Sequence, residues 1–287
     1  MTRRKVRLGL LQMRMQEDPI SNLERAVALI ERAASGGANL VCLPELFTTK
    51  YFAQYEAKDE VPSELLDTVP GKASGLLSAA ARKNGVVVIG GSIFESDKDK
   101  MFNTSMVFDP RGKLLGIYRK THIPQDQHYF EQEYFTPGDT GFQVFDTEFG
   151  RFSVMICYDQ WFPEAARVSA LKGAEMAFYP TAIGTVKGIK QTEGNWHRAW
   201  ENVMRGHAIA NGMAVAGINR VGREDQMSFW GGSFAIDAFG KTLKRAGRDE
   251  TALLVDVDLD HGREVREGWG FFSNRRPECY SRLTERA

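Results

Sequence analysis

Cysteine is scarce. The 287 residues contain three, at positions 42, 157 and 279, and an odd number so widely spaced does not build the disulfide framework of a small secreted scaffold. No window approaches the roughly 20 apolar residues that a membrane-spanning helix needs. The N-terminal "MTRRKVRLGLLQM" has basic residues but neither a long apolar core nor a small-residue cleavage site. A secretory route is therefore not expected, which sets aside the formal glycosylation acceptor "NTS" at 103–105 and places the protein in a reducing cytoplasm. Excess charge is missing too: 37 basic residues balance 37 acidic ones, so no global field favours nucleic acid or an anionic membrane. There is no Gly-x4-Gly-Lys-Ser/Thr loop, no Gly-x-Gly-x-x-Gly turn and no His-Glu-x-x-His helix. The five histidines, at 122, 128, 197, 207 and 261, form no close ligand set with the cysteines. Nucleotide and zinc chemistry lose support, and no metal is expected.

What remains is the profile of a soluble globular chain with a sizeable core, 43% hydrophobic and 26% charged. Short runs rich in Val, Ile and Phe recur, among them "VRLGLLQM", "ANLVCLPELF", "GVVVIGGSIFE", "RFSVMICYD", "AEMAFYPTAIG" and "TALLVDVDLD", and they read as strands. Helical stretches lie between several of them. "SNLERAVALIERAAS" carries apolar residues at 23, 26, 27, 30, 33 and 34 behind a capping box of Ser21 and Glu24. "ASGLLSAAARKNG", "PEAARVSALKG" and "WHRAWENVMRGHAIANG" end near Gly85, Gly173 and Gly212. "FDPRGKLLG" and "IDAFGKTLKRAG" each set Asp-x-x-Gly-Lys between two apolar runs, which predicts two similar hairpins. The polar stretches 53–64, 95–101, 185–195 and 222–228 read as surface loops. The pattern is mixed α/β, a single domain over 1–287 with helices covering sheets.

The cysteines differ in context. Cys42 sits within an apolar run and reads as a small buried hydrophobe, and Cys279 lies in a polar tail. Cys157 closes the run "VMIC" before the chain turns toward Pro163, a position that points a side chain into the crevice where α/β proteins tend to place ligands. Glu45 follows Pro44 at the end of a second run, and Lys120 ends a third, in "YRKTHIP". A thiol must become thiolate to attack at neutral pH, a nearby ammonium favours that anion, and a carboxylate accepts its proton and returns it to a leaving amine. Acid, cation and thiol at three strand ends describe a base, an electrostatic stabiliser and a nucleophile.

"LPELF", "YRKTHIP" and "ICYDQWFPEAAR" resemble, in order and spacing, the Glu, Lys and Cys motifs of the nitrilase superfamily of carbon-nitrogen hydrolases. The likeness extends through "FTPGDTGFQVFDTEFG", "LKGAEMAFYPTAIG", "GHAIANG" and "NRVG", and within the superfamily it is nearest the N-carbamoylputrescine amidases, with Tyr158 where that branch normally has Trp. The resemblance implies a four-layer α-β-β-α sandwich. It also implies Glu45 as general base and acid, Lys120 beside the developing oxyanion, Cys157 as nucleophile and Glu131, rather than Glu133, as a second active-site glutamate. The backbone N–H of Tyr158 would join Lys120 as an oxyanion donor. No cofactor is required by such chemistry, and the partner is a small carbamoyl or amide molecule.

Substrate choice rests on less. The amidase branch typically has a glutamate soon after "TAIG", but here Val186 and Lys187 occupy that region. Glu193, Asp159 or other loop acids would compensate, and a carbamoyl amino acid or a short-chain amide are the alternative substrates. Tyr51 and Trp161 are pocket-lining candidates. Trp196, Trp200 and Met204 recur at four-residue spacing, as on a buried helix stripe, and His207 is either an orienting residue or a satisfied buried histidine. A catalytically silent interaction protein or thiol sensor on the same scaffold is the reading from another class. The resemblance further implies a homodimer or larger homo-oligomer, with the aromatic and basic tail from about 270 to 287 packing across the interface.

Overall fold

The computed structural model describes residues 3–57 and 63–285. Its first half runs β1 (Lys5–Gln12), α1 (Pro19–Ser35), β2 (Leu40–Cys42), α2 (Lys72–Asn84), β3 (Val87–Ile89), β4 (Ile93–Asp97), β5 (Lys100–Phe108) and β6 (Leu114–Arg119). The second runs β7 (Val144–Thr147), β8 (Gly150–Val154), α3 (Pro163–Leu171), β9 (Met176–Thr181), β10 (Gly184–Val186), α4 (Trp196–Asn211) and β11 (Ala214–Asn219). It closes with β12 (Val221–Glu224), β13 (Met227–Trp230), β14 (Phe234–Ile236), β15 (Thr242–Arg245), β16 (Thr251–Asp258) and α5 (Leu259–Trp269).

Two large sheets carry the fold. One has the order β16-β1-β2-β3-β5-β4 with β6 added to β5; the other has the order β15-β14-β11-β9-β8-β7. Strand alternation sorts their side chains into layers. Leu40 and Cys42 enter a cluster with Leu8, Phe152, Phe178 and Ala216, so this cluster lies between the sheets. Val41, between them in sequence, packs instead with Leu23, Ile30 and Leu77 of α1 and α2. On the far sheet, Tyr179 and Val215 meet Ala166, Trp200 and Met204 of α3 and α4. The result is the α-β-β-α sandwich. Gly9 lets α1 lie close to the first sheet, because a Cβ there would stand 2.9 Å from that of Ala33.

The two Asp-x-x-Gly-Lys turns are near copies. Asp109 Oδ1 accepts from the N–H groups of Arg111 and Lys113 between β5 and β6. Asp237 Oδ1 accepts from those of Phe239 and Lys241 between β14 and β15. A register shift sits beside each turn.

Other boundaries differ from the sequence reading. Helix α1 starts at Pro19, and its cap is Asp18, whose carboxylate accepts from the N–H groups of Ile20 and Ser21. Ser21 therefore serves inside the first turn, its hydroxyl donating to Asp18; Pro at the first helical position competes successfully with the expected capping box. Residues 95–101 and 222–228 are mostly strand, closed by the β4–β5 and β12–β13 turns, and 185–195 begins within β10. Residues 58–62 of the expected loop 53–64 lie outside the described residues. Helix α5 was not anticipated: Asp258 caps it at one end and Gly270, with φ of 62°, closes it at the other. No helix among the described residues is long and apolar enough to cross a membrane.

Candidate active site

Glu45, Lys120 and Glu131 meet in the interior. The Lys120 Nζ donates to Glu45 Oε1 at 2.7 Å and to Glu131 Oε2 at 2.6 Å, with all three side chains essentially without solvent exposure. Each arrives from a different segment. Glu45 lies in the turn after β2, Lys120 directly after β6, and Glu131 opens a short 3₁₀ turn. Further donors fix both carboxylates: Asn103 Nδ2 donates to Glu45 Oε1 at 2.8 Å, and the Tyr51 hydroxyl donates to Glu131 Oε1 at 2.7 Å. Glu45 Oε2 is buried and has no hydrogen-bond partner among the described residues. A buried carboxylate oxygen left free is expensive unless something else occupies it, so it is the atom of this cluster available to a reacting group.

The turn that carries Glu45 is held from outside. Leu46 has φ of 47°, a left-handed conformation uncommon for a residue with a side chain. The fully buried Arg220 guanidinium donates to the backbone oxygens of Glu45, Leu46 and Thr49, and pairs with Glu224 at 2.8 Å. Glu224 in turn accepts from the Tyr51 N–H. Gly91, with φ of 51°, lies against the same turn, where a Cβ would come 2.1 Å from the Pro44 oxygen.

Cys157 comes from the other sheet. Strand β8 ends at Val154, and Cys157 begins a 3₁₀ turn (Cys157–Trp161) with φ of 43°. The strand thus stops three residues before the thiol, which stands on the following turn instead of closing the run. Its side chain, 7% exposed, lies near the Ala182 oxygen and lines a cavity of about 280 Å³. Glu131 lines the cavity too, with Tyr129, Tyr158, Trp161 and Trp196 on its walls and Asp126 among its lining.

Electrostatics refine the expectation of a ready thiolate. Burial pushes the Cys157 thiol well above its usual range, and Glu45 and Glu131 add to burial while Lys120 opposes it. The resting group is therefore the thiol, and attack requires a base to remove its proton. Burial alone would lower the Lys120 ammonium, but the charges of Glu131 and Glu45 outweigh it and hold the proton on Lys120. Burial raises Glu131 to about 7; Glu45 adds to this and Lys120 counteracts it.

The remaining expected residues fall in several places. Trp161 is on the cavity wall, whereas Tyr51 is fully buried and supports Glu131 instead of lining the cavity. Glu193 is exposed and accepts from the indole N–H of Trp196, reaching the cavity only through that ring. Val186 is buried among Leu46, Tyr51 and Phe229, and Lys187 is exposed. Glu133 is an exposed residue bonded to Ala57 and Gln125. His207 is a buried histidine at 2.7 Å from the Gln160 oxygen, with its pKa lowered by burial. Trp200 and Met204 are core residues, while Trp196 turns to the cavity. Asn103 and Arg220 were not singled out by sequence: one resided in a glycosylation-like triplet and the other bears on backbone atoms more than 170 positions away.

Residues 7–267 match the Carbon-nitrogen hydrolase family. The chain is 39% identical over 289 residues to the N-carbamoylputrescine amidase of Solanum lycopersicum, covering 98% of this chain and 95% of that one. It is 35% identical over 287 residues to the citrullinase of Francisella tularensis subsp. tularensis, covering 98% and 99%. Among solved structures it superimposes on a carbon-nitrogen hydrolase from Helicobacter pylori G27 with a TM-score of 0.91, at 38% identity over 98% of this chain and 99% of that one. Fold, buried charge cluster and sequence agree that this chain belongs to the carbon-nitrogen hydrolase family, within the nitrilase superfamily.

Proposed function

We propose that the protein is a cysteine-dependent amidohydrolase that cleaves the carbamoyl group of an N-carbamoyl amine, with N-carbamoylputrescine as the substrate that best fits. The observation that carries this reading is the buried Glu45–Lys120–Glu131 cluster with one free carboxylate oxygen, electrostatically coupled to a thiol that opens on a cavity. Glu45 takes the proton of Cys157 as sulfur bonds to the carbonyl carbon. The oxyanion so formed is met by Lys120 and the Tyr158 N–H; a donor of this kind contributes about 2.7 to 4 kcal/mol in comparable sites. Glu45 then hands the proton to the departing nitrogen as the C–N bond breaks. Water, deprotonated by Glu45, attacks the S-carbamoyl carbon; the C–S bond breaks, Glu45 returns the proton to sulfur, and the released carbamic acid breaks its C–N bond to give carbon dioxide and ammonia. Overall, R-NH-CO-NH2 and water yield R-NH2, carbon dioxide and ammonia. Glu131, held by Tyr51 and Lys120, keeps the ammonium aimed.

The cavity lining supports a cationic substrate tail. Asp126 is an exposed acid there, and the described lining residues include aromatic faces but no lysine, arginine or histidine. An ammonium gains from such a carboxylate and from π faces, and a carboxylate does not. This favours a carbamoyl amine over a carbamoyl amino acid. Asp126 thereby takes the part for which Glu193 was considered.

A nucleophilic thiol must remain reduced, which fits the cytoplasm. The exposed Val168, Leu171, Trp269 and Leu283, near the α3 face and the C-terminal segment, support pairing of subunits with residues from about 270 onward at the interface.

The test is ammonia release from N-carbamoylputrescine, N-carbamoyl-β-alanine, citrulline and simple amides. The proposal expects the cationic carbamoyl amine to have the highest kcat/KM, and the Cys157→Ala and Cys157→Ser proteins to lose turnover on every substrate. Full turnover by either variant would remove Cys157 from the mechanism; preference for the anionic substrate would remove the assignment of the amine.

A further inference from the structure

The carboxylate of Asp159 is fully buried, two residues after the cysteine, and it accepts four hydrogen bonds. Its Oδ2 takes the Ile156 N–H at 2.8 Å and the Tyr118 hydroxyl at 2.7 Å. Its Oδ1 takes the His122 N–H at 3.0 Å and lies 2.7 Å from His122 Nδ1. Tyr118 and His122 stand two positions before and two after Lys120, so one carboxylate grips the chain on both sides of the ammonium. Through Ile156 it also grips the residue just before the thiol. The His122 ring lies flat on that of Phe162, at the end of the same turn, with centroids 3.7 Å apart and planes within 5°.

This arrangement joins the two sheets at one point. Lys120 follows a strand of the first, and Cys157 follows a strand of the second. Cys157 sits in a left-handed backbone conformation that an L-residue keeps only when its surroundings fix it. The Ile156 N–H bond supplies part of that constraint from inside the turn.

We propose that Asp159 is a positioning residue for the reaction, holding the Cys157 turn and the Lys120 segment at a fixed separation so that sulfur and ammonium address the same carbonyl group. The inference rests on the functional reading above for the identity of the reacting groups, but not for its geometry. Asp159 does not touch substrate; it acts through Tyr118, Ile156 and His122. A clamp of this kind affects how often the bound substrate is correctly aimed, and misplacement near 1 Å lowers turnover by about a hundredfold.

The experiment compares wild type with Asp159→Asn, in which an amide N–H2 replaces one acceptor oxygen, and with Tyr118→Phe and His122→Ala, which each remove one donor and leave the carboxylate. For Asp159→Asn the expected result is a kcat about 100-fold lower with KM within about twofold of wild type, at a temperature well below its measured melting point. Tyr118→Phe and His122→Ala should each lower kcat less, and their effects should vanish in the Asp159→Asn background. A folded Asp159→Asn protein with kcat within twofold of wild type would overturn the proposal; if that protein does not fold, unchanged kcat in the Tyr118→Phe/His122→Ala double variant would do so. Alkylation of Cys157 by iodoacetamide separates this from the functional reading: if wild type turns over no carbamoyl or amide substrate, the reading fails, while the clamp stands or falls on whether these variants alkylate several-fold more slowly.

Discussion

Lys120 engages only half of the Glu45 carboxylate: Nζ is 2.7 Å from Oε1, and Oε2 has no partner among the described residues. One oxygen is tied to the ammonium and to Asn103, and the other is left for proton traffic. Replacing Glu45 with Gln keeps the shape but removes the base. Turnover should fall by about 10² to 10⁴-fold, measured as ammonia release under saturating substrate. Slow alkylation of Cys157 should persist, because hydroxide in solution still generates some thiolate. Undiminished turnover would exclude Glu45 as the proton acceptor.

Lys120 neutralises two buried acids, so its removal harms the fold as well as the chemistry. Lys120→Ala leaves Glu45 and Glu131 facing each other without their cation, and breaking a buried pair in this way costs about 3 to 5 kcal/mol. Urea denaturation of the two proteins at pH 7 is the measurement. A loss under 1 kcal/mol would show that the cluster relaxes, for instance by taking up a proton.

Glu131 supplies a pH signature. Its folded pKa is raised to about 7 from an ordinary 4.5, so between these values the native protein binds a proton that the unfolded chain has released. Its contribution to stability is then fully present below about 4.5 and is lost as pH rises through about 7. Glu131→Gln should remove that dependence. Melting temperatures of wild type minus variant, recorded from pH 5 to 8, should therefore decline with pH; a flat or rising difference would contradict the raised value.

At the cavity, Asp126→Asn tests charge without changing size. KM for a cationic carbamoyl amine should rise by about 5 to 10-fold, as expected for loss of a solvent-accessible ion pair worth near 1 kcal/mol, while a neutral amide should be unaffected. Added salt should weaken binding of the cation to wild type more than to the variant. Equal KM values would shift recognition of the tail to the aromatic walls.

Gly91 offers a steric test of the Glu45 turn. Any side chain there would both collide with the Pro44 oxygen and occupy a backbone conformation with φ of 51°. Gly91→Ala should lower melting temperature and turnover together, since the turn that moves is the one bearing the base. Turnover at the wild-type level in this variant would mean that the turn yields without displacing Glu45.

Much of the candidate site was legible because the residues proposed to react lie in short distinctive words. Glu45, Lys120, Glu131 and Cys157 were each located by motif, and the structure brings the first three within hydrogen-bonding range. Their supports were not legible, for a physical reason. Arg220 and Asn103 act on backbone atoms or on side chains of distant segments, and such long-range pairings leave no periodicity in the sequence. Asp159 was named as an acid for the substrate tail, but it is fully buried and bonded to Tyr118, His122 and Ile156 instead. Tyr51 was expected to face substrate because aromatics near strand ends often do; its hydroxyl instead found a buried carboxylate that needed a donor. Mixed α/β with helices covering sheets was readable from the apolar runs and amphipathic helices, and the four-layer sandwich from the family resemblance, whereas α5, polar on average and with Leu259, Gly262 and Val265 as its buried residues, was not anticipated.

The groups proposed to react are divided between the layers: Glu45 and Lys120 follow strands of one sheet, and Cys157 follows a strand of the other. Neither slab owns a complete apparatus. Chemistry is consequently a gauge of how the halves are seated against each other, sensitive to slippage too small to register as unfolding. Heating should silence the protein before its circular dichroism changes, and whatever braces the seam between the slabs should extend its working range.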